Sequence, residues 1–281
     1  MFSKALAFAL AATSVVAEGI PGYGGYSAVW QENFNGAAGS LVNEGNWNII
    51  ERSQNANNEW QTYTRSNKNH QLSGGATLQI VPQNNNGAWT SARLESKYVF
   101  TPADGRRTII EAKIRFGNNA EVNKQGIWPA FWLLGDSIRH GTPWPQCGEV
   151  DILERVSGHP TGYGTVHCDV APGGICNEFN GIGGTTSIPD NGWHTWRVVF
   201  DRTPDWTGES ITWYKDGGQF MQVTGGRIGN QNVWNSLATT PQYIILNVAV
   251  GGDFPGAPNG NTLGNWGSEM EVAYVAHYQS N

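Results

Sequence analysis

Short segments in which apolar and polar residues alternate, separated by clusters of turn residues, recur along most of this chain. Between Ile110 and Phe116, apolar residues occupy every second position and charged residues fill the positions between them. This period of two is typical of a half-buried β-strand. Similar segments cover 76–81, 128–134, 193–201, 242–250 and 269–277.

Two local signals add detail to this pattern. The segments 210–215 and 219–224 flank Asp216-Gly217, a dipeptide that favours the tight turn of a β-hairpin. Helical character is weak and is confined to 230–239. Because the chain has no internal repeat and no long linker, we predict an all-β fold, a two-sheet antiparallel sandwich.

The first 17 residues predict a secretory signal peptide. Lys4 precedes an apolar run over 5–12, and the small residues Val15 and Ala17 lie three and one before a cleavage point. The apolar run is too short to span a membrane, and the carboxyl terminus has no hydrophobic tail of the kind that signals a glycolipid anchor. We therefore expect a secreted, extracellular protein.

Charge and tryptophan content indicate which partners to expect. The formal net charge is −6, so the chain is poorly suited to neutralising the phosphates of nucleic acids or of anionic membranes. The chain contains 13 Trp, whose indole faces can stack on the apolar faces of sugars, although core packing is an equally good use for about half of them.

The three cysteines leave one thiol unpaired in an oxidising compartment. We predict a Cys168–Cys176 disulfide, because the residues between these cysteines include the turn formers Pro172, Gly173 and Gly174. Cys147 would then be free. The chain has no paired Cys/His spacing of the kind that binds zinc.

Three carboxylic acids alternate with aliphatic residues in the segment 149–154, which reads Glu-Val-Asp-Ile-Leu-Glu. In a regular strand the side chains of Glu149 and Asp151 share a face, whereas Glu154 lies on the opposite face. One extra residue in a β-bulge would turn Glu154 back beside the other two acids. We therefore predict a bulged strand with three acids on one face and aliphatic side chains in the core.

Such an arrangement suits retaining glycoside hydrolysis, which needs two carboxyl groups about 5–5.5 Å apart. Glu149 would attack the anomeric carbon, and its negative charge would keep Glu154 protonated as the acid until the glycosyl ester forms. Asp151 could hydrogen-bond Glu149 and orient it. Taken alone, Glu-X-Asp-X-X-Glu is a weak pattern, and three acids on a solvated strand is the competing interpretation.

Segments well beyond the acidic strand strengthen the first interpretation. They are GEVDILE at 148–154, NNEWQTYT at 57–64, SARLESK at 91–97, WPAFWLLG at 128–135, His167, WHT at 193–195, LNVAVGG at 246–252 and MEVAYV at 270–275. Together they resemble glycoside hydrolase family 16, and within it the laminarinase-like endo-β-1,3(4)-glucanases of the secreted, fungal type.

The resemblance implies a β-jelly-roll sandwich with a concave substrate cleft, in a single catalytic domain over 18–281. It implies an endo-acting hydrolase that cuts β-1,3 or mixed β-1,3/1,4 glucan with retention at the anomeric carbon. In this family pattern Glu149 is the nucleophile, Asp151 assists it, and Glu154 is the acid/base.

Five further residues are candidates for substrate binding. Trp128 and Trp132 have the same parity in one strand, so they can face one groove and form a sugar platform; the alternative is a buried core pair. Trp60 and Arg93 are candidates for neighbouring subsites, with ordinary packing or a structural ion pair as the alternative. His167 ends a strand predicted to lie beside the acids, where the family places a site histidine; a structural histidine is the alternative.

Expectations about cofactors and partners complete the prediction. The resemblance implies no required cofactor; a structural calcium ion near Glu32 and Gly36 is left open, since no calcium loop is recognisable there, and no residue is predicted to bind a metal. Asn247 lies in an aliphatic strand and needs a polar partner, either sugar or backbone. We expect a β-glucan polysaccharide as substrate, neither nucleic acid nor membrane as a partner, and a monomer.

Two alternative functions remain open. A wall-remodelling transglycosylase would transfer the glycosyl group to a sugar hydroxyl instead of water; the missing anchor and the six-residue acidic signature argue against it. A lectin-like sandwich would bind glucan without cutting it; the presence of all three acids argues against that.

Overall fold

The computed structural model describes residues 19–281, and the predicted signal peptide lies outside the described residues. Eighteen strands, two short α-helices and three 3₁₀ turns lie within this range. In chain order the strands are β1 (Tyr26–Glu32), β2 (Trp47–Ile49), β3 (Thr62–Tyr63), β4 (His70–Leu72), β5 (Leu78–Ile80), β6 (Gln83–Asn85), β7 (Ala88–Ser91), β8 (Arg93–Phe100), β9 (Arg107–Phe116), β10 (Ile127–Gly135), β11 (Glu149–Glu154), β12 (Thr161–His167), β13 (Ile182–Ser187), β14 (His194–Asp201), β15 (Ser210–Lys215), β16 (Gly218–Thr224), β17 (Gln242–Val250) and β18 (Met270–Ser280). The helices are α1 (Gly225–Ile228) and α2 (Gln231–Ala238), and the 3₁₀ turns are Glu121–Asn123, Asp136–His140 and Trp266–Ser268.

Most of these strands belong to two large antiparallel sheets. One sheet has the order β16-β15-β14-β9-β18-β5-β4, with β1 also paired to β18, and the other has the order β13-β12-β11-β10-β17-β8-β2. A small third sheet has the order β3-β7-β6. The predicted all-β, two-sheet antiparallel sandwich is confirmed. The acidic strand β11 lies inside the seven-stranded sheet, between β10 and β12.

Side chains from the inner faces of both sheets form one continuous hydrophobic core. Five of the tryptophans are buried, whereas the others are partly or well exposed. The tryptophan content therefore serves the core and the surface alike. The buried five are Trp47, Trp89, Trp196, Trp213 and Trp234.

Several local predictions agree with the structure. Asp216 and Gly217 both have positive φ values, 50° and 80°, and join β15 to β16 in the predicted hairpin. The weak helical signal over 230–239 corresponds to α2, whose N-cap Asn230 accepts hydrogen bonds from two backbone N–H groups. Neither helix of the described part of the chain is long and apolar enough to cross a membrane.

We predicted that β9 has one buried and one exposed face, and this prediction is wrong at Glu111, on the outward face. This residue is 0% exposed, because a second, smaller hydrophobic cluster covers that part of the sheet. The Glu111 carboxylate accepts hydrogen bonds from the hydroxyls of Tyr23 and Tyr274 and pairs with Arg197. A buried carboxylate needs such partners, since removing its charge from water is costly.

Two buried histidines make acid sensitivity an expected property of this fold. Burial lowers the pKa of His70 and of His277 to about 4. Both ring nitrogens of His70 have no hydrogen-bond partner among the described residues, and Nε2 of His277 has none either. In the unfolded chain these rings protonate near pH 6.5. Above about pH 6.5 the rings are neutral in both states and stability is at its full value. As the pH falls from about 6.5 to about 4, the unfolded chain takes up protons that the folded protein does not, and the free energy of unfolding falls by up to about 3 kcal/mol for each ring.

Urea unfolding between pH 7 and pH 4.5 measures this effect. The free energy of unfolding of the wild type should fall across this range, and the double variant His70→Gln, His277→Gln should lose distinctly less. The matched control replaces an exposed histidine, His140, with Gln and is measured over the same pH range. An equal loss in the wild type and in the double variant would exclude these rings as its cause.

Candidate active site

A β-bulge at Ile152 brings the three acids of β11 to the same side of the strand. Against β10, Trp132 pairs with Asp151 and Phe131 with Leu153, which leaves Ile152 without an opposite residue. The register against β12 shifts at the same place. Since one extra residue reverses the parity of a strand, Glu154 returns to the face that carries Glu149 and Asp151. The predicted bulge is confirmed.

Core packing holds the bulge from the opposite side. Val150, Ile152 and Leu153 are fully buried, as the sequence predicted. In addition, the buried Trp213, on β15 of the other sheet, donates its indole N–H to the backbone oxygen of Asp151 at 2.7 Å. This contact was not predictable from the sequence, because nothing in the pattern of either strand links the two residues.

Glu154 is buried and is held by Trp128. The indole N–H of Trp128 donates to Glu154 Oε1 at 2.9 Å. Burial and the negative charge of Asp151 raise the pKa of Glu154 well above its usual range, against which the charge of His167 and the Trp128 hydrogen bond act. This environment favours a protonated carboxyl group.

Glu149 is also desolvated, but it lies closer to positive charge. Burial and the charge of Asp151 raise its pKa to about 8, and the positive charges of His167 and Arg93 oppose this rise. Glu149 is the direct register partner of His167, whose Nε2 lies 4.0 Å from Glu149 Oε1. Of the two glutamates, Glu149 is therefore the better placed to carry the negative charge.

His167 is the last residue of β12, next to β11 as predicted. Its Nε2 lies 3.4 Å from Asp151 Oδ2, and its Nδ1 lies 2.7 Å from Oε2 of Glu178. Burial lowers the pKa of His167, but the nearby carboxylates of Asp151, Glu178 and Glu149 outweigh burial and raise it to about 11. The ring is therefore an imidazolium at neutral pH, and a positive charge lies among the acids.

Trp132 and Arg93 form a cluster beside the acids. The Arg93 guanidinium lies 4.7 Å from the centre of the Trp132 ring and contacts Glu95 Oε1 at 2.8 Å. The Trp132 indole N–H donates to Asn247 Oδ1 at 2.7 Å, and Asn247 Nδ2 donates to the Tyr63 hydroxyl at 3.1 Å. The polar partners of Asn247 are thus two aromatic side chains, not the backbone. Arg93 forms an ion pair with Glu95 and packs on the Trp132 ring.

Trp60 is the most exposed of the candidate residues, with 55% of its surface accessible. Its backbone N–H donates to the carbonyl of Val250 at 2.8 Å, which fixes its loop to the end of β17. The indole lies directly on Gly251, where a Cβ would come within 2.7 Å of Trp60 Cδ1. A Cβ on the adjacent Gly252 would lie 3.4 Å from Trp128 Cζ3, so the Trp60 loop is next to the Trp128 side of the site.

Two exposed phenylalanines that sequence analysis missed lie on either side of the acids. Phe254 packs edge-on against Trp128, with ring centres 5.7 Å apart. Phe179 stacks on Trp144, with ring centres 6.0 Å apart, and Trp144 lies 5.6 Å from the His167 ring. Both phenylalanines lie in loops rich in Gly, Asn and Pro, where no periodic pattern marks a functional residue.

The side chains of Glu149, Asp151 and His167 offer ligand atoms within 4.8 Å of one another, a spacing that a metal ion could use. His167 Nδ1 is already engaged by Glu178 and its Nε2 faces Asp151, so the ring has protein partners on both edges. The imidazole faces the carboxylates of both acids as their ion-pair partner, and we assign no metal to the three residues.

The residues considered for calcium, Glu32 and Gly36, do not form a recognisable cation site. The Glu32 carboxylate accepts hydrogen bonds from the backbone N–H of Phe34, the side-chain amide of Asn46 and the indole of Trp47. Three N–H donors already stabilise its negative charge, and donors of this kind repel a cation. We therefore derive no role for calcium.

The chain is similar to several known proteins. A family model described as XgeA-like, catalytic GH16 domain, matches residues 42–180. The chain is similar to the crystal structure of endo-1,3-beta-glucanase from Streptomyces sioyaensis, with a TM-score of 0.88 and 34% identity over 93% of this chain and 99% of that one. It is 29% identical to glucan endo-1,3-beta-glucosidase A1 of Niallia circulans over 92% of its length, and 29% identical to clotting factor G alpha subunit of Tachypleus tridentatus over 79%.

The chain spans only 39% and 30% of the lengths of these last two proteins. The Streptomyces structure, in contrast, is matched along almost its whole length. The similarity of this chain to the Streptomyces enzyme and its match to the catalytic-domain model together show that the chain belongs to glycoside hydrolase family 16.

Proposed function

We propose that this protein is a secreted, retaining endo-glycosidase that hydrolyses β-1,3 or mixed β-1,3/1,4 glucan by double displacement. Glu149 is the nucleophile, Glu154 the general acid and base, and Asp151 the residue that assists Glu149. The observation that carries this proposal is the bulge at Ile152, which places all three carboxyl groups on one face of β11.

In the first step a carboxylate oxygen of Glu149 attacks the anomeric carbon, and the bond from that carbon to the leaving oxygen breaks. Glu154 transfers its proton to the leaving oxygen, so the released glucan ends in a neutral hydroxyl. Burial and Asp151 raise the pKa of both glutamates and His167 lowers both, but the charge of Arg93 opposes the rise at Glu149, so Glu149 is the one that ionises more readily.

In the second step water replaces Glu149 on the anomeric carbon. Glu149 has lost its negative charge as a glycosyl ester, so the pKa of Glu154 falls and its carboxylate takes a proton from the water. The new bond forms as the ester bond breaks. Two inversions at the same carbon give net retention, and both carboxyl groups return to their starting protonation states.

The aromatic residues around the acids are proposed as sugar platforms. Of the three tryptophans, Trp60 offers the most exposed ring, and Trp128 and Trp132 are half-buried on the strand adjacent to β11. His167 contributes charge, and Arg93 acts through its contact with Trp132. Stacking on neutral rings suits an uncharged polysaccharide better than an anionic one.

We propose that residues 18–281 form the catalytic domain and that the protein is exported. The Cys168–Cys176 bond supports export, since disulfides persist in oxidising compartments, and Cys147 is the free cysteine, as expected. The names of the Streptomyces and Niallia relatives support a β-1,3-glucan substrate.

The test is to incubate purified protein with laminarin, lichenan, agarose and xyloglucan and to size the products over time. We expect short oligosaccharides and new reducing ends from laminarin, with weaker or no release from agarose and xyloglucan. Following the first product by NMR should show the β-anomer, as retention requires.

Other outcomes of this assay would support the alternative functions. Oligosaccharides longer than a defined donor would indicate a transglycosylase. Retention of laminarin on an affinity gel without any reducing ends would indicate a glucan-binding sandwich. Cleavage of agarose but not of laminarin would contradict the proposed substrate while leaving the double displacement intact.

A further inference from the structure

Glu178 lies beside the site but has no part in the double displacement described above. It is in the loop between β12 and β13, and its side chain is fully buried. Its Oε1 accepts a hydrogen bond from the backbone N–H of Cys168 at 2.8 Å, and its Oε2 lies 2.7 Å from His167 Nδ1. A carboxylate buried this deeply requires strong partners, and His167 is the charged one.

The loop that carries Glu178 is held in place at several points. The Cys168–Cys176 disulfide closes it, and Gly173 and Glu178 exchange two backbone hydrogen bonds of 2.6 Å. Gly181 packs against the histidine ring, since a Cβ there would lie 2.8 Å from His167 Cε1. Neither the carboxylate nor the imidazole is therefore free to move apart from the other.

The opposite edge of the imidazole faces the reacting acids. His167 Nε2 lies 3.4 Å from Asp151 Oδ2 and 4.0 Å from Glu149 Oε1. Asp151 Oδ2 is buried and has no hydrogen bond within the described part of the chain, so the imidazole N–H is its nearest source of stabilisation. The groups that face the ring are thus Glu178 on one edge, Asp151 and Glu149 on the other, and Trp144 alongside.

We propose that Glu178 is a positioning residue for this reaction, which holds the Nδ1–H of His167 and thereby keeps the imidazole charged and directed at Asp151 and Glu149. The inference rests on the proposed function, because Glu178 touches His167 and not the reacting atoms. The positive ring offsets the crowding of negative charge on β11. It allows Glu149 to ionise as the nucleophile while Glu154 keeps its proton.

The pKa directions agree with this geometry. The hydrogen bond to Glu178 is among the causes that raise the pKa of His167, and the charge of His167 lowers the pKa of both Glu149 and Glu154. Removing the charge of Glu178 should therefore weaken the imidazolium. The loss of positive charge on His167 outweighs the relief of the weaker repulsion between Glu178 and Glu149, so the pKa of both glutamates should rise. Both limbs of the pH profile should then move in the same direction, which a simple loss of stability does not produce.

The experiment is the substitution Glu178→Gln in the full chain, with laminarin hydrolysis measured from pH 4 to pH 9. We expect both limbs of the kcat/KM profile to move to higher pH by about one unit, with kcat reduced about 10-fold at the wild-type optimum and KM changed less than about twofold. The matched control is Glu209→Gln, another buried carboxylate, which pairs with Arg202 and Trp234 away from the acids. The control should lower stability without moving the pH profile.

A second measurement does not depend on activity or on the folding of a variant. The ¹⁵N chemical shifts of the His167 ring in the wild type should show two protonated nitrogens at pH 8, and the ring of the folded Glu178→Gln protein should lose one of these protons at a distinctly lower pH than the wild-type ring. A neutral His167 in the wild type at pH 8, or an unchanged pH profile in folded Glu178→Gln, would overturn the proposal. If the wild type cuts no glucan at all, the proposed function fails, and the ring shifts still decide whether Glu178 sets the charge of His167.

Discussion

Replacing Glu149 with Gln is expected to abolish laminarin hydrolysis, with kcat reduced by about 10⁴-fold or more and the fold unchanged. The amide has nearly the shape of the carboxylate but is too weak a nucleophile to form the glycosyl ester. Glu149 supplies no core packing, since the fully buried residues of its strand are Val150, Ile152 and Leu153. Steady-state kinetics, together with the melting temperature of the variant, measure both parts of this prediction.

A shorter side chain at the same position gives a sharper test. In Glu149→Ala, azide can enter the space left by the carboxylate and attack a β-glycosyl fluoride, whose leaving group needs no proton. Only one inversion then occurs, so the product should be an α-glycosyl azide. Glu269→Gln, which removes a half-buried carboxylate outside the site, should keep wild-type turnover. Normal laminarin hydrolysis by Glu149→Gln would end the assignment of the nucleophile.

The alternation of acids and aliphatic residues in β11 made much of this site predictable from the sequence. Three acids and three aliphatic residues in six positions fit a strand with one buried face only if it contains a bulge, and the structure has that bulge at Ile152. Local spacing also sufficed for the Asp216-Gly217 hairpin and for the Cys168–Cys176 bond. In each case the information lies within about ten residues of chain.

Contacts between distant segments were not predictable in this way. Trp213 reaches the bulge from the opposite sheet, and its alternating strand predicts only that its side chain faces the core. Glu111 has the polar parity of a solvated residue, yet the segment that begins before β1 covers it. Alternation reports which face of a strand is apolar, and it does not report what later packs on the polar face.

Glu178 lies close to its partner His167 in the sequence, yet the contact between them was not predictable. It is only eleven residues from His167, but the intervening loop contains Gly, Pro and Asn and has no periodicity that fixes the direction of a side chain. The disulfide and the backbone pair between Gly173 and Glu178 turn the carboxylate inward. The charge state of His167, and with it the balance of charge on β11, depends on a residue that the acidic motif does not include.

Replacing Glu154 with Gln is expected to separate the two steps of the reaction. Laminarin has a poor leaving group and needs a proton from Glu154, so its hydrolysis should slow by about 10²- to 10⁴-fold. In a 2,4-dinitrophenyl β-laminarioligosaccharide the leaving group, dinitrophenolate, departs without that proton, so Glu149 should still form the ester at nearly the wild-type rate. The second step lacks its base, so a burst of dinitrophenol equal to the enzyme concentration should precede slow turnover.

Azide then distinguishes this variant from the one at Glu149. In Glu154→Ala, azide needs no base and attacks the glycosyl ester, so turnover of the aryl substrate should accelerate and the product should be the β-glycosyl azide after two inversions. The opposite anomers from the Glu149 and Glu154 variants would assign the two carboxyl groups to opposite sides of the scissile bond. A Glu154→Gln enzyme that lost the same factor on laminarin and on the aryl substrate, without a burst, would contradict its role as the acid. The desolvated carboxyl group held by Trp128 would then serve packing and not proton transfer.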